Sequence, residues 1–457
     1  MSTFICRTSC LMIALIGSFL LSGSAFAQSG LEKKIEELGR PYIDSETVVG
    51  MSIGVIKDGK VTTVSLGVTK KDGPVPNNRT VYEIGSISKV FTGLLLADAA
   101  NSKTVTLDQS AQSLLPKGVT MPKWKDREIT LLDLSTHSSG LPRLSDNMPS
   151  IATGNPYSDY SSKLAHEFLN KHEMQQEPGK YTGYSNFGVS LLGHLISSRS
   201  EKSYDKLLQE RISKPLGMHD TRVALTDSMK ERLAMPHSAS GEQDHNWDFA
   251  DMPGAGGIRS TLGDMILFAQ ANLKTPDSQV GSALNLAWKK HRDGQPAMGL
   301  GWHFGGDGHT RWHNGQTGGY HSMMMVDREK NTAIVVLCNS AAMEVDQLAQ
   351  QIAQTLAGQS VKPRKFEKEF VVSDEIMQRY VGEYQLAPTF VFTVSVKNKK
   401  LMVGVTGQST QRVYARSETE WYYKVVDASI TFKVNEAGEC TALVLHQNGL
   451  NQTAARK

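Results

Sequence analysis

The stretch Tyr82-Glu83-Ile84-Gly85-Ser86-Ile87-Ser88-Lys89-Val90-Phe91-Thr92-Gly93, running on into Leu94-Leu95-Leu96-Ala97, reads as the opening of a helix that presents a serine. Gly85 permits a tight turn, and the residues after it favour helix, so Ser86 falls in a first turn whose N–H groups lack intrahelical partners. Lys89 follows three residues later, on the same helical face. A serine hydroxyl is a weak nucleophile until a base takes its proton, and a lysine whose pKa is lowered by burial can serve as that base. The pattern alone is not decisive. Ser203-Tyr204-Asp205-Lys206 repeats it, and chance supplies it about once or twice in a chain of this composition. Partners for Ser86 have to come from elsewhere in the chain.

The 457 residues suffice for two or three domains with proper cores, and 39% hydrophobic with 21% charged residues is the balance of a soluble globular protein. A net charge of +3 without a run of like charges offers no footprint for nucleic acid. Arg7, the apolar run Cys10 to Leu21 and Ala25-Phe26-Ala27 read as a secretory signal over residues 1–27, cut before Gln28. The run is shorter than the roughly 20 residues of a bilayer span, so no stable membrane span is expected after cleavage. No acylatable cysteine follows the apolar run, since the site reads Ala27-Gln28, so a lipoprotein is not expected. The expected location is exported, periplasmic or secreted from a bacterium. Cys338 and Cys440 remain in the mature chain, too few for a disulfide framework, and their pairing is left open.

Past the signal, a helical stretch from Leu31 to Gly39 precedes two strands, Val48 to Ile56 and Val61 to Val68, joined at Asp58-Gly59 as a hairpin. Helices with Pro- and Gly-rich joints follow, with further helix at Ser203 to Ile212 and Leu262 to Ala271. Strands return at Ser322 to Val326 and Thr332 to Cys338, before a helix from Val345 to Leu356. Strands at both ends with helices between them predict an α/β (α+β) fold: one antiparallel sheet flanked by helices, with a helical insert and a cleft between the two. Beyond a polar linker at 358–370 the text is nearly all strand: Phe390 to Val396, Leu401 to Val405, Glu420 to Val425, Ser429 to Val434 and Ala442 to His446. The expected domains are therefore 28–357, and a small all-β domain at 371–457, an open or closed barrel.

Two further stretches complete a constellation: Tyr181-Thr182-Gly183-Tyr184-Ser185-Asn186 and Trp312-His313-Asn314-Gly315-Gln316-Thr317-Gly318-Gly319. With Ser86-x-x-Lys89, Tyr184-x-Asn186 and His313-x-Gly315 in that order, residues 31 to 356 resemble the serine β-lactamase and penicillin-binding-protein superfamily, on its class C and D-peptidase branch. Leu134-Ser135-Thr136-His137-Ser138-Ser139-Gly140-Leu141-Pro142, Pro215-Leu216-Gly217-Met218 and Gly256-Gly257-Ile258-Arg259-Ser260-Thr261 share the likeness. The resemblance implies Ser86 as nucleophile, with Lys89 and Tyr184 as catalytic partners, either of which could be the base given a depressed pKa. It implies Asn186 as a contact for a substrate amide and for Lys89. It also implies an oxyanion hole from the N–H groups of Ser86 and Gln316, with Gly315 on the strand edge that substrate approaches closely.

His313 stands where β-lactamases and transpeptidases carry a lysine that holds a substrate carboxylate. A histidine near its ordinary pKa is only partly charged at neutral pH, so weak, pH-dependent binding of a carboxylate is expected. Histidine here is shared with D-aminopeptidases, other peptidases and esterases. The reading is a serine hydrolase acting on amide or ester bonds of D-amino-acid peptides or small esters. The alternatives are a β-lactamase proper and a ligand-binding or sensing protein on a hydrolase scaffold. No metal or other cofactor is expected: His303, His309 and His313 lack paired carboxylates at a recognised spacing, and Gly254-Ala255-Gly256-Gly257 is no nucleotide fingerprint. Glu167 and Lys206 read as solvated helix positions, Met323-Met324-Met325 as sheet core, and His237 to Asp251 as a surface loop or a cleft lining. Tyr380-Val381-Gly382-Glu383-Tyr384 and Gly407 loosely resemble lipocalin-like barrels appended to D-peptidase relatives, a domain open to shaping the substrate entrance, driving homo-oligomerisation or binding an apolar ligand.

Overall fold

The computed structural model describes residues 30–149, 155–367, 369–406, 410–424 and 426–457; the signal segment 1–27 and Gly407 lie outside them. The chain divides into two compact units, one formed by residues to Ser238 with Gln243–Arg364, the other by Ala239–Glu242 with Lys365–Lys457.

In the first unit the chain's two ends build one sheet. Strands β1 (Gly50–Lys57) and β2 (Lys60–Gly67) form the expected hairpin, turning at Asp58-Gly59 with both residues at positive φ. Short β3 (Val81–Glu83) pairs with β4 (Arg259–Thr261) as a separate ribbon. Strands β5 (His303–Phe304), β6 (Thr310–Gln316), β7 (His321–Asp327) and β8 (Thr332–Cys338) complete the main sheet, whose order is β2-β1-β8-β7-β6-β5, antiparallel throughout. Seven of the eight β1 residues are buried, so its apolar text does not alternate. Neighbouring residues of β1 point to opposite faces. A Cβ at Gly39, in the helix over 30–44, would meet Ile53, whereas one at Gly54 would meet Leu262 and Ile266 of the Leu262–Leu273 helix. Those two helices therefore cover opposite faces.

The helix Ser88–Asn101 is buried from Ser88 to Ala99 on every side, as its nearly unbroken apolar text requires. It packs against helices Gln279–Trp288 and Asn186–Arg199. Ser86 itself sits just before it, in a 3₁₀ turn over Gly85–Ile87. Ser203 caps the Tyr204–Leu208 helix by accepting from the Lys206 N–H, and Glu167 is exposed. Met323 and Met324 are core. Among the described residues no helix is long and apolar enough to cross a membrane.

The second unit is a closed antiparallel barrel. Its strands are β9 (Gly382–Ala387), β10 (Phe390–Lys397), β11 (Lys400–Val405), β12 (Gln411–Ala415), β13 (Glu420–Tyr423), β14 (Ala428–Val434), β15 (Cys440–Gln447) and β16 (Leu450–Arg456), and β16 closes on β9. Val394, Val403, Val413, Trp421, Ile430, Phe432, Leu443 and Ala454 fill the interior. The helix Asp374–Tyr380 adds Met377 and Tyr380, whose ring stacks on Phe432 with centroids 4.0 Å apart. This packed interior leaves little ground for an apolar ligand inside the barrel. Cys338 and Cys440 are both buried and free.

Candidate active site

Two glycines set the nucleophile turn against the sheet. Gly85 has φ +48°, and a Cβ there would lie 2.6 Å from the Gln316 nitrogen; a Cβ on Gly315 would lie 2.1 Å from the Ile84 oxygen and 2.8 Å from the Ser86 nitrogen. No side chain fits either position, so the turn and the end of β6 touch backbone to backbone. The Ser322 hydroxyl, on β7, donates to the Ile84 oxygen at 2.8 Å and fixes the contact.

Lys89 enters from the first helical turn, only 1% exposed. Its Nζ lies 2.9 Å from Ser86 Oγ and 2.7 Å from the Ala255 oxygen. Burial, and secondarily the Arg143 charge, hold its pKa well below that of a free lysine. Among the described residues no carboxylate offsets this shift, which favours the neutral amine. Such an amine can donate a proton to Ala255 and still offer its lone pair to Ser86.

Tyr184 and Asn186 come from a second loop zipped to the 137–143 segment. Gly179 N donates to the Ser138 oxygen, Gly183 N to the His137 oxygen, Ser185 Oγ to the Pro142 oxygen, and the Asn186 and Phe187 N–H groups to the Arg143 oxygen. Ser185 also caps the Asn186–Arg199 helix through the Gly188 N–H, a cap worth about 1 kcal/mol. Tyr184 is hydrogen-bonded to Ser86, and Lys89 Nζ stands 4.8 Å from its ring centroid. Burial pushes the phenol up to about 12, against the opposing hydrogen bond and Arg143. The depressed tyrosine pKa that the sequence allowed is not found, because desolvation outweighs the cation. Asn186 Nδ2 donates to the Tyr157 hydroxyl at 2.8 Å, and its Oδ1 has no partner among the described residues.

His313 differs from expectation. It is fully buried on β6 and packs against His303 with centroids 4.7 Å apart. Burial, reinforced by His303 and Lys89, drives its pKa well below 6.5, so it is neutral where partial charge was expected. Its Nδ1 lies 2.5 Å from the Asn314 oxygen and therefore carries the proton; Nε2, unpartnered among the described residues, keeps a lone pair. Gln316 is exposed at the end of β6, its Oε1 accepting from His321 Nδ1 at 3.0 Å.

Arg143 and Tyr157 escaped the sequence reading, and the segment read as a surface loop or a cleft lining is firmly tied down. Arg143 is exposed, stands 5.0 Å from the Tyr184 ring centroid and has no carboxylate partner among the described residues. Tyr157 stacks on Phe249 at 4.5 Å beside Trp247, forming an aromatic wall next to Asn186. The 244–251 segment is no loose loop: Asn246 Nδ2 and Trp247 N donate to Glu83 Oε1, and Arg259 donates to the Trp247 oxygen and to Asp248. Away from the site, ligand atoms of Asp307, His309 and Asp327 lie within 4.8 Å of one another, but the Lys330 ammonium already sits 3.2 Å from Asp327. Asp327 was hidden from a spacing argument, since it reaches this cluster through β7, which pairs it with Thr310 of β6.

Comparison with known proteins agrees with this architecture. Residues 32–357 match the Beta-lactamase family, and residues 371–455 match a domain of unknown function, DUF3471. The chain is 30% identical over 228 residues to the D-alanyl-D-alanine-carboxypeptidase/endopeptidase AmpH of Escherichia coli K12, covering 50% of this chain and 58% of that protein. It is 28% identical to a β-lactamase of Providencia stuartii, covering 56% and 63%. The chain thus spans about three fifths of the length of these relatives. Among solved structures, a β-lactamase/D-alanine carboxypeptidase from Yersinia pestis superposes with a TM-score of 0.63 at 24% identity, over 72% of this chain and 99% of that one. A class C β-lactamase superposes at 0.65 and 21%, over 73% and 98%. The chain belongs to the β-lactamase family.

Proposed function

We propose that the protein is a serine hydrolase that forms an acyl-enzyme on Ser86, acting on amide or ester bonds of D-amino-acid-containing peptides or small esters. The observation that carries this reading is the 2.9 Å contact between Ser86 Oγ and a lysine whose pKa burial holds well below that of a free lysine. Lys89 takes the Ser86 proton as Oγ attacks the carbonyl carbon. The backbone N–H groups of Ser86 and Gln316, brought close by the glycine contact, receive the oxyanion. Tyr184, a phenol at rest, gives its proton to the leaving group and regains one from the Lys89 ammonium, so Lys89 is neutral again and serves as base when water cleaves the ester. Asn186 and the edge of β6 at Gly315 orient the substrate. His313, buried and neutral, acts as a hydrogen-bonding group and does not clamp a carboxylate by charge. Arg143 is the cation open to a substrate carboxylate.

The names of the family relatives favour D-alanyl peptides as substrates, and equally favour β-lactams as a second reading. Export is part of this proposal, supported by the signal-like residues 1–27. A fluorophosphonate probe should label Ser86 in the mature protein and fail on Ser86→Ala; absence of labelling overturns the proposal. Rates on p-nitrophenyl esters, D-amino-acid anilides and nitrocefin then separate the substrate classes, and turnover of nitrocefin alone would establish the second reading.

A further inference from the structure

His137 is 1% exposed and sits at φ +55°, a left-handed conformation that costs strain for any residue with a Cβ. The surroundings that hold it there converge on one neighbour. Its backbone oxygen accepts from the Gly183 N–H at 2.7 Å, and its Nδ1 accepts from the Ser185 N–H at 3.1 Å. These residues flank Tyr184, whose ring lies against the His137 imidazole with centroids 4.3 Å apart and planes 33° apart. One residue thus holds the backbone on either side of Tyr184, through the Gly183 and Ser185 N–H groups, and supports the face of its ring.

We propose that His137 is the positioning residue of Tyr184, holding the phenol against Ser86 and Lys89 as a neutral imidazole protonated on Nε2. The tautomer follows from the hydrogen bond: a backbone N–H needs a lone pair, so Nδ1 is bare and the proton is on Nε2. Charging the ring would turn Nδ1 into a donor facing a donor. Burial disfavours a positive ring, and Lys89, His303 and Arg143 add to it. Among the described residues no hydrogen bond joins His137 to Ser86 or Lys89, and it acts through Tyr184. This inference rests on the role given to Tyr184 above.

A double-mutant cycle on the full mature chain tests it, with a p-nitrophenyl ester as substrate. Asn tolerates the left-handed backbone but lacks the ring. His137→Asn should lower kcat by about tenfold to a hundredfold with KM within about twofold, the scale of a small misplacement. In the Tyr184→Phe background the same change should cost less than about twofold. Equal losses in both backgrounds, or a fall in Tm with kcat unchanged, overturn the proposal. Full kcat in Tyr184→Phe alone would instead overturn the role of Tyr184. A measurement on the unmutated protein guards against a variant that does not fold: with serine and histidine labelled by ¹⁵N, the Ser185 amide should show coupling across its hydrogen bond to an unprotonated imidazole nitrogen. A protonated Nδ1 overturns the proposal.

Discussion

In the barrel, Tyr384 donates to the Tyr380 oxygen, and Tyr380 and Trp421 donate to the Glu418 oxygen, so large side chains enter the core with their polar atoms paired. Around Ser86 the opposite holds: His137 Nε2, His313 Nε2 and Asn186 Oδ1 are buried without partners among the described residues, and an uncompensated lysine lies among them. Each unpaired buried polar atom costs about 1–3 kcal/mol. The difference shows where the fold gives up stability. Three of the first unit's buried unpaired atoms meet beside one uncompensated lysine, whereas the barrel interior gathers apolar contact, which is the division expected between a reacting site and a packed support.

Lys89→Met should sharpen this contrast most, lowering ester hydrolysis by about 10²- to 10⁴-fold while the barrel's thermal transition stays in place; steady-state rates and calorimetry read both. Phe432→Ala is the converse, removing about 3–5 kcal/mol from the barrel with fluorophosphonate labelling of Ser86 unchanged, and slower labelling would show that the two units are not energetically separate. Gly315→Ala should cost the first unit about 1–3 kcal/mol and slow labelling, since the added methyl collides with the Ile84 oxygen; an unchanged labelling rate would refute the backbone contact. The smallest effect is in pH. Between its lowered folded pKa and the 10.5 of an unfolded lysine, the unfolded chain binds a proton that folded Lys89 refuses, so stability rises with pH across that window. Denaturant unfolding at pH 7 and pH 9 should show this slope in the native protein and a flatter one in Lys89→Met; equal slopes would mean that Lys89 is charged when folded.

How much of this was legible depended on where each partner lay. The β1–β2 hairpin and the Val345–Leu356 helix announced themselves through local pattern. Strand β6 reads Thr-Arg-Trp-His-Asn-Gly-Gln, polar text without alternation, because it serves the site; the motif located it where periodicity could not. Strands β9, β12 and β16 were missed, β16 because its Leu-Asn-Gln-Thr-Ala-Ala-Arg text is mostly exposed and becomes a strand only by closing the barrel. In the site, Ser86, Lys89 and Tyr184 were readable as spaced residue types. The protonation of Lys89, Tyr184 and His313 was not, since burial decides it and burial is a property of the packed chain. His137 lay inside a recognised run but had no readable role, because its partner Ser185 is distant in sequence.

The backbone contact between Gly85 and Gly315 also says where this chain can be changed. Anyone diversifying it toward new substrates has two positions at which nearly every library member would be discarded before substrate entered the question. The productive variation lies around that fixed point, at exposed Arg143 and along the Tyr157, Trp247 and Phe249 wall, where side chains border the site without holding the nucleophile in place.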